Sequence, residues 1–193
     1  YKHFINKIWN AARFIFNSGN LSDEPVHPLN LEDKWILTRL NEAVENVERA
    51  LERYEFNVYA SELYNFLWKD LCDWYIEIAK YHIYGNEKDK AQNTINILYY
   101  VLEKFLRLAH PVIPFITEEL YQMLPYRGKD ESIMRCAFPE RDEFYFKDSS
   151  QIFERIKKIV TTIRNIKTDY GIPQKKSILC KIWCPDRVAD EIK

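Results

Sequence analysis

The sequence predicts a mainly α protein, an antiparallel helical bundle followed by the opening of a small α/β subdomain. Three observations carry that prediction. Only 4 glycines occur in 193 residues, none of them inside a long periodic stretch. Apolar residues recur at helical spacing through six successive segments separated by short punctuation. After Gly171-Ile172-Pro173 the period changes to the alternation of a strand.

Over residues 1–17, Phe4, Ile8, Ala11, Ala12 and Ile15 repeat at helical spacing, and Ser18-Gly19-Asn20 stops the helix. A loop with Pro25 and Pro28 follows. The second helix starts near Asn30, with Asp33 reaching back to the cap, and its stripe is Ile36, Leu40, Ala43, Val44, Val47, Leu51 and Tyr54. Residues 56–84 are apolar almost all round, which predicts the central, most buried helix. Gly85-Asn86 ends it, and a fourth helix runs through Ile95, Leu98, Val101, Leu102, Phe105 and Leu108. His110-Pro111 breaks that helix, Pro114 opens a fifth, and residues 125–147 read as an irregular wrap. Asp148 and Gln151 begin a sixth helix with the stripe Ile152, Ile156, Ile159, Ile163 and Ile166. Residues 177–184 are β-branched and alternating enough for a strand, which needs a sheet to persist. The expected organisation is therefore a bundle over 1–147, then the sixth helix and first strand of a truncated α/β subdomain over 148–193.

Composition narrows the function classes. With 47% hydrophobic and 30% charged residues, the chain is an ordinary globular one with enough core not to need disulfide staples. Its 28 basic and 29 acidic residues nearly cancel, so a nucleic-acid partner has to be met by a local stripe. The four cysteines, Cys72, Cys136, Cys180 and Cys184, are irregularly spaced, and no signal peptide or bilayer-length apolar run is present. A reducing, cytoplasmic setting with no membrane partner is expected. The sequence lacks an initiating methionine and is helical in pattern from its first residues, as expected of a piece of a longer polypeptide.

Turning the first helix at about 100° per residue places Lys2, Asn6, Asn10, Arg13 and Asn17 on one acid-free face, with Trp9 and Phe14 at its edges. Amides read base edges, cations neutralise phosphates and rings stack unstacked bases, so the face suits single-stranded RNA. A solvated helix face explains the same pattern. On the second helix the rotation takes Trp35 off the Ile36 and Leu40 stripe, beside Arg39, either as a stacking platform or as a cover for a neighbouring loop; Lys34 is a further phosphate candidate. Residues 151–181 carry eight basic residues against two acidic ones, and Lys157, Thr161, Arg164 and Thr168 share a face along which a phosphate backbone can lie.

Other constellations point to structure. Asp70, Asp73 and Glu77 share one face of an ideal helix, but salt bridges with Lys69 and Lys80 explain them without a metal. Cys180 and Cys184 in a strand would stand about 13 Å apart, too far to share a zinc. No phosphate-cradling glycine loop, activated serine or acid pair is seen, so no catalytic residue, metal ligand or resident cofactor is expected here.

Four blocks carry a family resemblance. Asn6-Lys7-Ile8-Trp9-Asn10-Ala11-Ala12-Arg13-Phe14 and Asp33-Lys34-Trp35-Ile36-Leu37-Thr38-Arg39-Leu40-Asn41 resemble the helices that follow the catalytic core of class I aminoacyl-tRNA synthetases for branched aliphatic amino acids. Tyr64-Asn65-Phe66-Leu67-Trp68-Lys69-Asp70-Leu71-Cys72-Asp73-Trp74-Tyr75 and Leu108-Ala109-His110-Pro111-Val112-Ile113-Pro114-Phe115-Ile116-Thr117-Glu118-Glu119-Leu120 resemble the valyl-tRNA synthetase family in particular. The resemblance runs from Phe4 to about Pro173 and departs at Gln174, where the family often has a small residue.

It implies an anticodon-binding bundle, then a small α/β subdomain and often a coiled-coil arm. ATP-binding signatures and an editing domain would lie upstream, so ATP and Mg belong to the parent ligase and this stretch alone is inactive. The implied partners are the anticodon loop and stem of tRNA(Val) and the upstream catalytic core of the same chain. The implied tRNA-binding residues are Asn6, Asn10, Arg13, Lys34, Trp35 and Arg39, beside the independently read Lys157 and Arg164. Two alternatives stand. One is the equivalent domain of an isoleucyl-, leucyl- or methionyl-tRNA synthetase; the other is a structural bundle docking a protein partner through Trp35.

Overall fold

A computed structural model describes residues 2–126 and 131–181. The first helix, α1 (Lys2–Ser18), buries Ile8, Ala11, Ala12 and Ile15, the stripe its spacing predicts. It stops at Gly19, whose φ of +149° lies where side chains are rarely accommodated. A Cβ there would also stand 2.7 Å from Ile95 Cδ1, so both backbone and packing require glycine.

After the proline loop comes α2 (Leu31–Glu52), where Asp33 Oδ2 accepts the Asn30 backbone N–H at 3.2 Å and completes the expected cap. The next helical run is continuous but not uniform. It begins as α3 (Phe56–Tyr64), widens into a π-helical segment (Asn65–Tyr75) and returns to α-helix in α4 (Ile76–Ile83). Then follow α5 (Lys88–Ala109), α6 (Pro114–Gln122) with Pro114 in its first turn, a 3₁₀ turn (Ile133–Arg135), and α7 (Lys147–Asp169) closed by Gly171 at φ +63°. The six predicted helices are all present.

Burial is heaviest in α5 and α2, not in the run predicted to be central. Helix α2 packs against α3, the π segment, α5 and α7. Its residues from Asp33 to Thr38 are buried except Lys34, as are Leu40, Asn41, Ala43, Val44, Val47 and Ala50. The polar members have specific partners. Tyr75 Oη donates to Asp33 Oδ1 at 2.8 Å, and Thr38 Oγ1 accepts the Phe146 N–H at 2.9 Å. Asn41 Nδ2 donates to Asp142 Oδ1 at 2.7 Å and to the Phe144 carbonyl at 2.9 Å. These bonds satisfy polar atoms that would otherwise cost stability inside the core, and they fasten the wrap preceding α7 onto the bundle.

One core cluster runs from Ile8 on α1 to Phe153 on α7. The isoleucine ridge of α7 is less covered than its spacing predicts: Ile166 is exposed, and Ser150, Phe153 and Lys167 are the helix's buried residues. No strand occurs among the described residues. The part of the expected strand that is described, 177–181, has no regular secondary structure, and 182–184 lie outside the described residues.

Candidate nucleic-acid interface

Helix α1 keeps its predicted ribbon clear of the core. Lys2, Asn6, Asn10, Arg13 and Asn17 are all exposed, opposite buried Ile8, Ala12 and Ile15. Among the described residues Arg13 has no carboxylate partner, so its guanidinium is available to a phosphate or a base edge. One edge of the ribbon faces α4, where Lys80 Nζ lies 5.6 Å from the centroid of the Phe14 ring. Next to Lys80 stands Tyr81, 81% exposed, and Tyr84 follows at 73%. Sequence reasoning missed these two rings, because they sit in a run whose overall apolarity predicts burial.

Lys7, adjacent to the ribbon, is otherwise engaged. Its Nζ bonds Asp73 Oδ1 at 3.1 Å and lies 4.8 Å from the Trp68 ring centroid, tying α1 to the π segment.

The structure reverses the surface placement of Trp35. Its ring is fully buried, stacked on Phe153 at a centroid distance of 4.5 Å, with Nε1 donating to Glu154 Oε1 at 2.8 Å. No face is open to a base, so Trp35 is neither a stacking platform nor an exposed docking residue; it is the contact that seats α7 on α2. The reason is that α2 is covered on its sides by both α5 and α7, so the position one step off the apolar stripe is interior as well.

Arg39 and Lys157 join the same internal cluster. Asp70, on the π segment, accepts from Arg39 Nε at 3.1 Å and from Lys157 Nζ at 3.0 Å, while Arg39 also pairs with Glu42 and, at 3.5 Å, with Glu62. Lys157 Nζ further bonds Glu154 and lies 4.4 Å from the Trp35 ring centroid. Burial alone would favour a neutral Arg39, but Asp70 and Glu42 outweigh it and hold the guanidinium firmly charged. These groups line the floor of a polar cleft of about 670 Å³ rimmed by Lys69, Arg155 and Lys158. With both cations saturated by carboxylates, Arg39 and Lys157 present little free charge to a phosphate.

On the outer face of α7, Thr161, Arg164 and Thr168 are exposed as predicted, with the Arg164 guanidinium 5.2 Å from the Trp74 ring centroid. Lys34 on α2 is half-exposed with no ion pair among the described residues. Lys167, counted with the basic run, is instead buried, its Nζ donating to the Gln174 and Lys176 carbonyls at 2.7 Å each.

The acidic trio also separates. Asp70 turns to α2 and α7, Asp73 to Lys7 on α1, and Glu77 to Lys80. In a π-helix the i→i+5 bonds advance each residue by less than the α-helical angle, so the spacing that aligns three acids in an α-helix fans them out here. Among the described residues no His, Cys, Asp and Glu cluster is arranged to hold a metal ion. Cys72 is buried on the π segment, and burial pushes its thiol up to about 12, far from thiolate chemistry at neutral pH.

Comparison with known proteins agrees with this geometry. The family model described as the anticodon-binding domain of tRNA ligase matches residues 33–182. Relatives include the valine–tRNA ligase of Halalkalibacterium halodurans, 42% identical over 91% of this chain and 20% of its own length. Those of Aquifex aeolicus and Bacillus thuringiensis are 43% and 40% identical, over 92% and 95% of this chain and 17% and 21% of their own lengths. The chain thus spans about a fifth of these relatives. With its helical bundle, its acid-free α1 face and a family match across most of its length, the chain belongs to the anticodon-binding domain family of tRNA ligases.

Proposed function

We propose that this domain is the tRNA-reading module of a valine–tRNA ligase, gripping the anticodon loop and stem of tRNA(Val) so that the acceptor end reaches the ligase's catalytic body. The observation that carries the reading is the exposed, acid-free ribbon of α1, bordered by Phe14 and Lys80, in a chain of this family. Asn6 and Asn10 offer amides to base edges, and Arg13 a planar fork to a base or phosphate. Lys34 on α2, and Arg164 with Thr161 and Thr168 on α7, supply phosphate contacts along the stem. Trp35, Arg39 and Lys157 act beneath the surface, holding α7 and its outer face in place.

The valine assignment is supported by the relatives' identities of 40–43%. ATP with Mg²⁺ serves the catalytic body of that ligase, and the setting is the cytoplasm, where charged tRNA is used. Among the described residues no helix is long and apolar enough to cross a membrane. The reading includes a small α/β subdomain over 148–193 whose first helix is α7, the helix seated on α2.

Titrating the 193-residue chain with tRNA(Val) at several salt concentrations tests the reading. Arg13→Ala is expected to weaken binding about tenfold and to flatten the salt slope by about one unit, with no change in melting temperature. Asn10→Ala is expected to narrow the preference for tRNA(Val) over a tRNA with another anticodon. Affinities of both variants equal to wild type at every salt concentration would remove the ribbon from the RNA.

A further inference from the structure

Beside the first turn of α1 lies a cleft of about 480 Å³, lined among the described residues by eight side chains. The first turn of α1 contributes Phe4, α3 contributes Ala60 and Tyr64, the π segment contributes Trp68, and the α5–α6 link contributes Val112 and Ile113. Three rings form one wall, with Phe4 and Tyr64 centroids 5.7 Å apart and Tyr64 and Trp68 stacked at 5.3 Å. Leu63 and Ile113, both buried, make a rigid base. Among the described residues no carboxylate, lysine or arginine lines it, and His3 is its one ionisable group besides the Tyr64 phenol. Just beyond Ile113, Phe115 is 91% exposed and extends the apolar surface.

These walls do not suit a nucleotide. A phosphate entering here would meet no lysine or arginine among the described lining residues, and a sugar would lie against mostly apolar side chains. An apolar protein side chain leaves nothing unsatisfied. A second copy of the chain would meet this small cleft untethered, at its free concentration alone. A small apolar contact holds when its partner is covalently tethered, because the linkage raises the effective concentration to roughly millimolar. Relatives of which this chain spans 17–21% carry such a tethered partner by construction.

We propose that this cleft receives an apolar side chain from the catalytic body of the same ligase polypeptide, fixing the angle between that body and the tRNA-reading bundle. The proposal rests on the ligase reading above and names the surface through which the two parts meet. The aromatic wall gives an incoming Leu, Phe or Met a preformed seat, and Asn10, Arg13 and Asn17 of the ribbon are not among the residues that line it.

The test uses the full-length ligase that carries this domain, with Ala60→Asp and Val112→Asp made separately so that a misfolded variant, recognised by its melting curve, is replaced by the other. Amide hydrogen exchange over residues 60–68 is compared between the full-length enzyme and the 193-residue chain. At least tenfold slower exchange is expected in the full-length enzyme, and the difference is expected to vanish in either variant. Charging of tRNA is expected to fall tenfold or more, while valine-dependent pyrophosphate exchange and tRNA affinity of the 193-residue chain stay at wild-type levels. Equal exchange in the two wild-type proteins overturns the proposal. So does weaker tRNA binding by the folded cleft variants, which would assign the cleft to RNA. Failure of the wild-type enzyme to charge tRNA would instead overturn the ligase reading, with the exchange comparison still deciding the docking.

Discussion

Trp35 shows how one side chain can hold an element in place without meeting the ligand. It stacks on Phe153, bonds Glu154 and lies under the Lys157 ammonium, so three α7 residues depend on one indole. Trp35→Ala is expected to destabilise the bundle by about 3–5 kcal/mol in urea unfolding, the range for truncating a large buried ring. Asp142 fastens the wrap in a different way. Burial works against its charge, but hydrogen bonds from Lys104, Tyr100 and Asn41 outweigh that and hold the carboxyl below its usual range. A depressed carboxylate contributes stability that is complete above its unfolded pKa, about 4, and is lost as pH falls through the lower folded value. Melting temperatures measured from pH 7 down to pH 2 should therefore show a steep acid limb in wild type and a shallower one in Asp142→Asn. The α1 ribbon was legible residue by residue, because its neighbours form a one-sided stripe; Trp35 was not, because the sequence does not show that a second helix covers its side.

At the scale of elements, the π segment decides which helices are joined. It carries Asp70 toward Arg39 and Lys157, and Asp73 toward Lys7, so one turn-widened stretch fastens α1, α2 and α7 together. Deleting exposed Lys69 should restore an α-helical phase, since the segment's wider spacing accommodates extra residue length. Far-ultraviolet circular dichroism is expected to keep its helical amplitude while the melting temperature drops by several degrees, because Asp70 and Asp73 can no longer both meet their partners. An unchanged melting temperature would count against the segment's fastening role. Helix boundaries came largely from punctuation, with Gly19, Pro114 and Gly171 each where the chain turns. The π widening left no such mark, and the rank order of burial misled: α2 hides Asp33, Thr38 and Asn41 inside, where their hydrogen bonds go to remote segments that a local pattern does not reveal.

Across the whole molecule, near-cancelling charge conceals a division between cations that hold the fold together and cations left free. Lys157 and Arg164 lie two turns apart on α7, yet the first is enclosed by Asp70 and Glu154 while the second faces outward beside Trp74. Lys157→Ala is expected to cost about 2 kcal/mol of stability in denaturant titration and to leave the tRNA salt slope nearly intact, since a charge-assisted bond is lost without a phosphate contact. Arg164→Ala should do the opposite, with a shallower slope and wild-type stability. A basic count alone could not separate the two, because net charge is a sum and says nothing of which pairs are closed. Lys167 extends the same division past the end of α7, where its ammonium is clasped by the carbonyls of Gln174 and Lys176. That clasp sets a practical limit on trimming. A recombinant version ending at Gly171 would retain the described helices, yet would lose both carbonyls that hold the Lys167 ammonium and loosen the final turn, so the shortest well-behaved version of the domain should extend beyond Lys176.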